Sequence, residues 1–513
     1  MTSHFDVVIV GGGSAGCVLA ARLSEDLNCS VGLVEAGFDA QDPEIGDPSR
    51  WPFLPGRSYD WAYRTTPQAG TAGRRHDWPR GRLLGGSSAL NAMAHVRGHP
   101  SDFETWAAAA GPLWGFDSLL PAFRRSECFS GGASSHHGAD GPLPVLLPDA
   151  ETHPLVRAFM AAGLSLGAPH LGDHNAGPLA GVAPNQLTIR DGRRVTAADA
   201  YLTPVAGRAN LQILRGLAVE RLLIASGSVT GLLVADETGT RVVEADQVIL
   251  SSGALGSPLL LMRSGIGDPE SLHAAGVPCL IENRNVGRNL HDHLLAAGLI
   301  FAARQPIAPS RLQHSESLMY LHAADPSRSD GAPDSVVACV TLPVVTECVD
   351  RPQAGNAFTL MCGFTHPDSR GTITLSGPSS SDAPVIDPAY LSTAHDRAAF
   401  RASLRLARSI AEAAPFDPWR GAELVPGSDC RSDDDIDAFL ARAAMTHHHP
   451  VGTCRMGHDS ESVLDAKLGV RGLDNLHVVD ASVIPTITTG PVNAAVLAMA
   501  EHWVASISRS QIR

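Results

Sequence analysis

The sequence predicts an α/β fold with a parallel sheet, and three observations predict it. Residues 5–10 are a β-branched run that ends in glycine, as a buried parallel strand should. Residues 16–27 form a helical stretch of small and aliphatic side chains, and residues 30–34 read as a second strand. The unit is therefore strand, glycine turn, helix, strand. A length of 513 residues exceeds one core, so two domains or one large discontinuous pair are expected.

Proline, glycine and tryptophan crowd residues 42–82, which implies long ordered loops over a site, and residues 131–148 are also loop-like. Strands follow at 211–214 and 218–224, with 229–234 pairing with the latter, and 246–250 is another buried strand. The texture changes over 304–444, with strand pieces at 357–364 and 372–375 and helices at 395–413 and 433–444. A last strand at 476–479 precedes a final helix from about 491 to 507.

Bulk properties exclude several classes. The net charge of −14, from 39 basic and 53 acidic residues, disfavours nucleic acid or an acidic membrane as partner. Lys467 is the only lysine, which disfavours Schiff-base chemistry. Nine scattered cysteines without a C-x-x-C pair read as reduced thiols. With no secretory segment ahead of the first strand and no apolar run near the ~18 residues of a membrane span, a soluble, cytoplasmic protein is expected.

Gly11-Gly12-Gly13-Ser14-Ala15-Gly16 fits G-x-G-x-x-G between strand and helix. Gly11 permits the tight turn, Gly13 lets backbone approach a pyrophosphate, and Gly16 allows the helix to pack closely. Phosphate would sit on the helix N-terminus, where unpaired N–H groups and the dipole favour negative charge. Glu35 closes the second strand 19 residues after Gly16 (35 − 16), the distance of a ribose-binding acid. The motif predicts a dinucleotide without separating NAD from FAD. A second glycine-rich segment, 80–91, suits backbone approach to a large planar ligand.

Near the C-terminus stands Thr446-His447-His448-His449-Pro450, and Pro491 falls 42 residues after His449 (491 − 449). His449 precedes proline and is pushed towards extended backbone. In such a segment His447 and His449 share a face while His448 points away. A neutral imidazole, with an ordinary pKa near ~6.5, suits removal of an alcohol proton at neutral pH. Three histidines could alternatively hold a metal, but no acidic or cysteine ligands cluster at comparable spacing, so none is expected.

Together, segments 11–16, 34–37, 81–91, 253–267, 285–293, 449–457 and 479–485 resemble the glucose–methanol–choline flavoprotein oxidoreductases, in family order over nearly the whole chain. The resemblance implies FAD, a Rossmann-type flavin domain, and a discontinuous α+β substrate domain on an antiparallel sheet with helices. The division it implies is flavin domain at 1–150, 205–303 and 445–513, and substrate domain at 151–204 and 304–444. By resemblance, Gly11, Gly13, Ser14, Ala15, Gly16, Glu35 and Ala36 hold the ADP half and Val219 meets the adenine. Arg82, Gly86, Asn91, Ala92 and Met93 line the flavin end, closed by Asp480, Ala481, Val492 and Asn493. Leu90 stands where some members carry a flavin-tethering histidine, so FAD should be non-covalent.

His449 occupies the family's base position, and the partner position, a histidine or asparagine in other members, is Pro491. Pro491 offers no side-chain hydrogen bond, so the partner role passes to His447; a proline beginning a helix is the plainer reading of that residue. The His-x-His pair with this proline is the pattern of members that oxidise pyridoxine. The expected reaction is therefore oxidation of its primary alcohol to pyridoxal, with O2 reduced to H2O2, in a monomer. An oxidase or dehydrogenase of another small primary alcohol, and a hydroxynitrile lyase with non-redox FAD, remain as alternatives.

Overall fold

The structure is a computed structural model and describes residues 3–39, 41–149 and 152–507. The boundary expected between 150 and 151 lies outside the described residues. The first sheet grows outward from Ser3–Val10, which pairs in parallel with Val31–Glu35 on one side and Gly239–Leu250 on the other. Leu211–Arg215 extends it beyond Val31–Glu35, and Leu476–Val478 joins in parallel at the end of Gly239–Leu250. The start of that long strand instead pairs with Ser228–Asp236, which carries Ala218–Ala225, both antiparallel. Helix Ser14–Leu23 is buried along most of its length, so the adjoining strands read as continuous apolar runs.

The second sheet is antiparallel. Its order is Arg420–Val425, Leu294–Ala303, Ala357–Phe364, Ser335–Val340, Ser317–Leu321 and Gly181–Pro184. Ala444–Thr446 also pairs with the start of Leu294–Ala303, antiparallel, with Leu294 opposite Thr446. Leu294–Ala303 thus belongs to this sheet, although the division at residue 303 groups it with the flavin domain. Ser317–Leu321 and Ser335–Val340 are buried at every position, so no alternation marks them in the sequence. Helices Pro100–Ala110, Phe116–Ser126 and Pro154–Ser165 were likewise not anticipated.

Helix Val492–Ser506 packs between Ser14–Leu23 and Phe116–Ser126. Glu501 fixes it there: its buried carboxylate accepts from Arg22 (2.9 Å), Arg125 (2.8 Å) and the Tyr201 hydroxyl (3.0 Å). At the other end of the helix Ser14 Oγ donates to Asn493 Oδ1 at 2.7 Å, so two helix N-termini meet. Among the described residues, no helix is long and apolar enough to cross a membrane.

Candidate active site

The glycine turn has the three spaces its motif requires. A Cβ on Gly11 would lie 2.6 Å from the Ser251 carbonyl oxygen, and Gly11 has φ +101°. A Cβ on Gly16 would lie 1.9 Å from the Gly11 oxygen, so the helix touches the turn only because Gly16 has no side chain. At Gly13 the nearest atom is 4.0 Å away, and that face is open to a ligand. Gly86, at φ +52°, packs its backbone on Gly13 (2.7 Å from a Cβ to the Gly13 Cα). Ala15 is buried inside the helix start.

Glu35 is buried, and its two oxygens accept from the Gly12 and Gly37 N–H groups, each at 2.8 Å. A carboxylate has about four lone-pair sites, so acceptors remain for a ribose hydroxyl. Burial pushes this carboxyl up to about 7, against the lowering effect of those N–H groups. Ala36 beside it is half-buried. Arg82 is exposed; its carbonyl packs on Gly37 and its guanidinium lies 5.4 Å from the Trp61 ring. Arg82 therefore stands beside Glu35. Val219 is half-buried in Ala218–Ala225.

Asn91 Oδ1 accepts from the Met93 N–H (3.0 Å) and from Arg194 (2.8 Å), which holds the backbone at Ala92 and places Met93 at φ +60°. Asp480 is buried and committed to structure. Its oxygens accept from the Gly253 N–H (2.8 Å), Ser257 Oγ (2.5 Å) and the Ser482 N–H (2.8 Å), tying the last strand to helix Gly253–Arg263. The Ala481 carbonyl accepts from the Gly452 N–H (3.3 Å). Pro491 is the N-cap of Val492–Ser506, with φ −54° and ψ 136°, so Val492, rather than the proline, is the first helical residue.

The histidines are arranged by a break in strand register. Leu294 opposes Thr446, and the His447 N–H donates to the His293 carbonyl at 2.9 Å, but the next pair is His291 with Val451. Asp292 therefore faces 448–450, and the extra residues bulge out of the ladder. His448 sits at φ +66°, so the segment is not the extended run that its sequence suggested. The expected convergence still occurs, because the bulge aims His447 and His449 together: their ring centroids are 4.3 Å apart. The N–H groups that the bulge removes from the ladder find side chains instead. Asp292 Oδ1 accepts from the His449 N–H (2.7 Å), and Thr446 Oγ1 accepts from the His448 N–H (2.8 Å) while donating to Asp292 Oδ2 (2.6 Å). Tyr390 also donates to Asp292 (2.5 Å), and Arg80 donates to the His448 carbonyl (2.9 Å).

His293 completes the cluster: its Nδ1 is 2.9 Å from His449 Nδ1. His293, His447 and His449 are the three-ligand set that could be mistaken for a metal centre. Two nitrogens bound ~2.0–2.1 Å from a tetrahedral zinc would be roughly 3.4 Å apart. The observed 2.9 Å is that of a hydrogen bond between the two rings. The His447 and His449 rings lie deep in the molecule yet are not fully covered, so they border an internal space. Burial, reinforced by the neighbouring imidazoles and Arg80, holds His449 well below the ordinary histidine value. Burial lowers His447 and His293 to about 3. All three are neutral at physiological pH, and a neutral imidazole can accept a proton.

Sequence reasoning did not bring Asp292, His293, Arg80, Thr446 and Tyr390 into this site. The one available signal was the His-Asp-His run at 291–293, whose pairing with the 446–451 segment is a tertiary fact. His291 is structural: its Nδ1 donates to the Asn289 carbonyl (2.7 Å) and its Nε2 accepts from the Ile487 N–H (3.0 Å).

Two family models described as GMC oxidoreductase match residues 5–295 and 367–500. The chain belongs to the GMC oxidoreductase family. As a member it is an FAD oxidoreductase, and the open face at Gly13 between two helix N-termini fits a dinucleotide pyrophosphate. It is similar to pyridoxine 4-oxidase of Microbacterium luteolum, 50% identical over 98% of this chain and 99% of that one. It is also similar to the crystal structure of pyridoxine 4-oxidase from Mesorbium loti, with a TM-score of 0.96 and 54% identity over 98% of both chains. A formate oxidase of Aspergillus oryzae RIB40, studied for its FAD modification, shares the fold at a TM-score of 0.90 and 28% identity, covering 98% of each. GMC membership thus rests on both halves of the chain.

Proposed function

We propose that this chain oxidises the 4′-hydroxymethyl group of pyridoxine to the aldehyde pyridoxal, reducing O2 to H2O2. The observation that carries the reading is the pair of neutral imidazoles, His447 and His449, held 4.3 Å apart by a bulge in a chain half identical to a pyridoxine 4-oxidase. His449 takes the hydroxyl proton, a role worth typically 10²–10⁴-fold in rate. His447 hydrogen-bonds the same oxygen and shares its developing charge. Among the described residues the His447 ring nitrogens make no hydrogen bond, which leaves them free for substrate. FAD supplies the hydride acceptor when bound. Pro491 contributes no proton-handling group and caps the helix, leaving the Val492 and Asn493 end of that helix dipole as a stabiliser of negative charge.

The cofactor is held non-covalently by Gly11, Gly13, Ser14, Ala15, Gly16, Glu35 and Ala36 at its ADP half, with Val219 at the adenine. Gly86, Asn91, Ala92, Met93, Asp480, Ala481, Val492 and Asn493 surround the rest, and Arg82 stands near the ribose. The flavin domain comprises 1–150, 205–303 and 445–513, and the substrate domain 151–204 and 304–444, with strand Leu294–Ala303 carried in the substrate sheet. The enzyme works as a cytoplasmic monomer. The test is product analysis with pyridoxine in air. Stoichiometric pyridoxal and peroxide support the reading, whereas turnover only with a dye acceptor or only with another alcohol refutes it.

A further inference from the structure

The base assignment leaves open which nitrogen of His449 accepts the proton, and the contacts of His293 answer this. His293 Nε2 lies 2.8 Å from the backbone carbonyl oxygen of Thr365. A carbonyl only accepts, so this nitrogen carries hydrogen. A neutral His293 then has a bare Nδ1, and among the described residues its one partner is His449 Nδ1, 2.9 Å away. His449 must donate there, which leaves its own Nε2 without hydrogen. Among the described residues His449 Nε2 has no hydrogen-bond partner.

We propose that His293 is a positioning residue that fixes the tautomer of His449, so that Nε2 is the proton acceptor, through a relay from Thr365 via His293 to His449. The relay has a direction. When Nε2 takes the alcohol proton, the Nδ1–H already points at a bare nitrogen, and the new charge strengthens that hydrogen bond. The proton stays within the pair, because beyond His293 Nε2–H stands only the Thr365 carbonyl, which accepts a hydrogen bond but is no base. The arrangement does what the carboxylate of a serine-protease triad does for its histidine, where the wrong tautomer costs about 10⁴ in rate. Here a second neutral imidazole does it without adding a charge to a buried site. Thr365 is itself set by its place: its N–H donates to the Asp334 carbonyl (3.1 Å) and its hydroxyl to the Pro333 carbonyl (2.7 Å), so the anchoring oxygen follows from the end of strand Ala357–Phe364.

The proposal rests on the reading of His449 as the base, and one experiment separates the two. The FAD-loaded protein, labelled with 15N-histidine, is examined by long-range nitrogen–proton NMR, with His449 assigned by loss of its signals in His449→Ala. Hydrogen on Nδ1 and a bare Nε2 is the expected result. Hydrogen on Nε2 overturns the relay whatever the substrate proves to be. Two variants give the kinetic arm. His293→Asn places an amide oxygen near the Nδ1 position, and His293→Leu keeps bulk without an acceptor. The Leu variant should lose about 10²-fold or more in kcat with little change in KM, and the Asn variant should stay within about tenfold of the parent. Equal losses in both, or a change confined to KM, would reduce His293 to packing and end the proposal. Failure of the Leu variant to fold leaves the spectrum of the parent protein to decide.

Discussion

The glycine turn and the histidine cluster are built from opposite materials. The turn is backbone, and its function lies in side chains that are missing: Gly11 and Gly16 allow contact, and Gly13 leaves an opening. The cluster is mainly side chains, drawn from 292–293, 390 and 446–449 and anchored on the Thr365 carbonyl, and it depends on one irregularity in a strand pair. The turn is local in sequence and its parts fail independently. The cluster is a network and should fail as one.

That contrast orders the expected losses. Gly16→Ala forces a Cβ to 1.9 Å from the Gly11 oxygen, and relief requires moving a buried helix off its strand. It should lower stability by about 3 kcal/mol or more, seen as little folded protein and a depressed melting temperature. Asp292→Ala strips the acceptor from the His449 N–H and from the Thr446 and Tyr390 hydroxyls, each buried donor left unmade being worth about 1–3 kcal/mol. Melting should fall and turnover should fall with it, because the bulge that aims both imidazoles is undone. A variant that kept full activity would show the bulge to be held by other means.

Gly13→Ala should behave differently. The added methyl meets nothing closer than 4.0 Å in the protein, so the chain folds with an unchanged apo melting temperature. It should lose FAD affinity by tenfold to a hundredfold, roughly 1.4–2.7 kcal/mol, by equilibrium titration. Loss of folding here would blur the distinction between the two glycines.

Near neutral pH the smallest effect is acid sensitivity. His447 and His293 are held neutral down to about 3, whereas the unfolded chain protonates them below ~6.5. Between these values the unfolded state binds more protons, so stability is full above ~6.5 and falls as pH drops towards 3. His447→Gln should flatten that slope in denaturant titrations, and an unchanged slope would mean the ring is not held neutral.

How much was legible follows the same division. The strand–turn–helix of the first sheet, and Glu35 at its end, were readable because a glycine motif and an apolar run are contiguous. His447 and His449 were readable as a pair, but for an incomplete reason: the alternation of an extended chain was expected, and a bulge with His448 at φ +66° does the work. Asp292 and His293 could not be placed in the site, since register between 294 and 446 is set by pairing across more than 150 residues of chain. The buried strands Ser317–Leu321 and Ser335–Val340 gave no periodic signal, because neither face meets water.

The most direct test of the central claim is anaerobic rapid mixing of the FAD-loaded protein with pyridoxine, following the yellow flavin band in the parent and in His449→Ala. The account predicts rapid bleaching in the parent, and a variant that remains yellow and folded but bleaches about 10³-fold more slowly. Equal rates in the two proteins, or a parent whose band pyridoxine leaves unchanged, would contradict it.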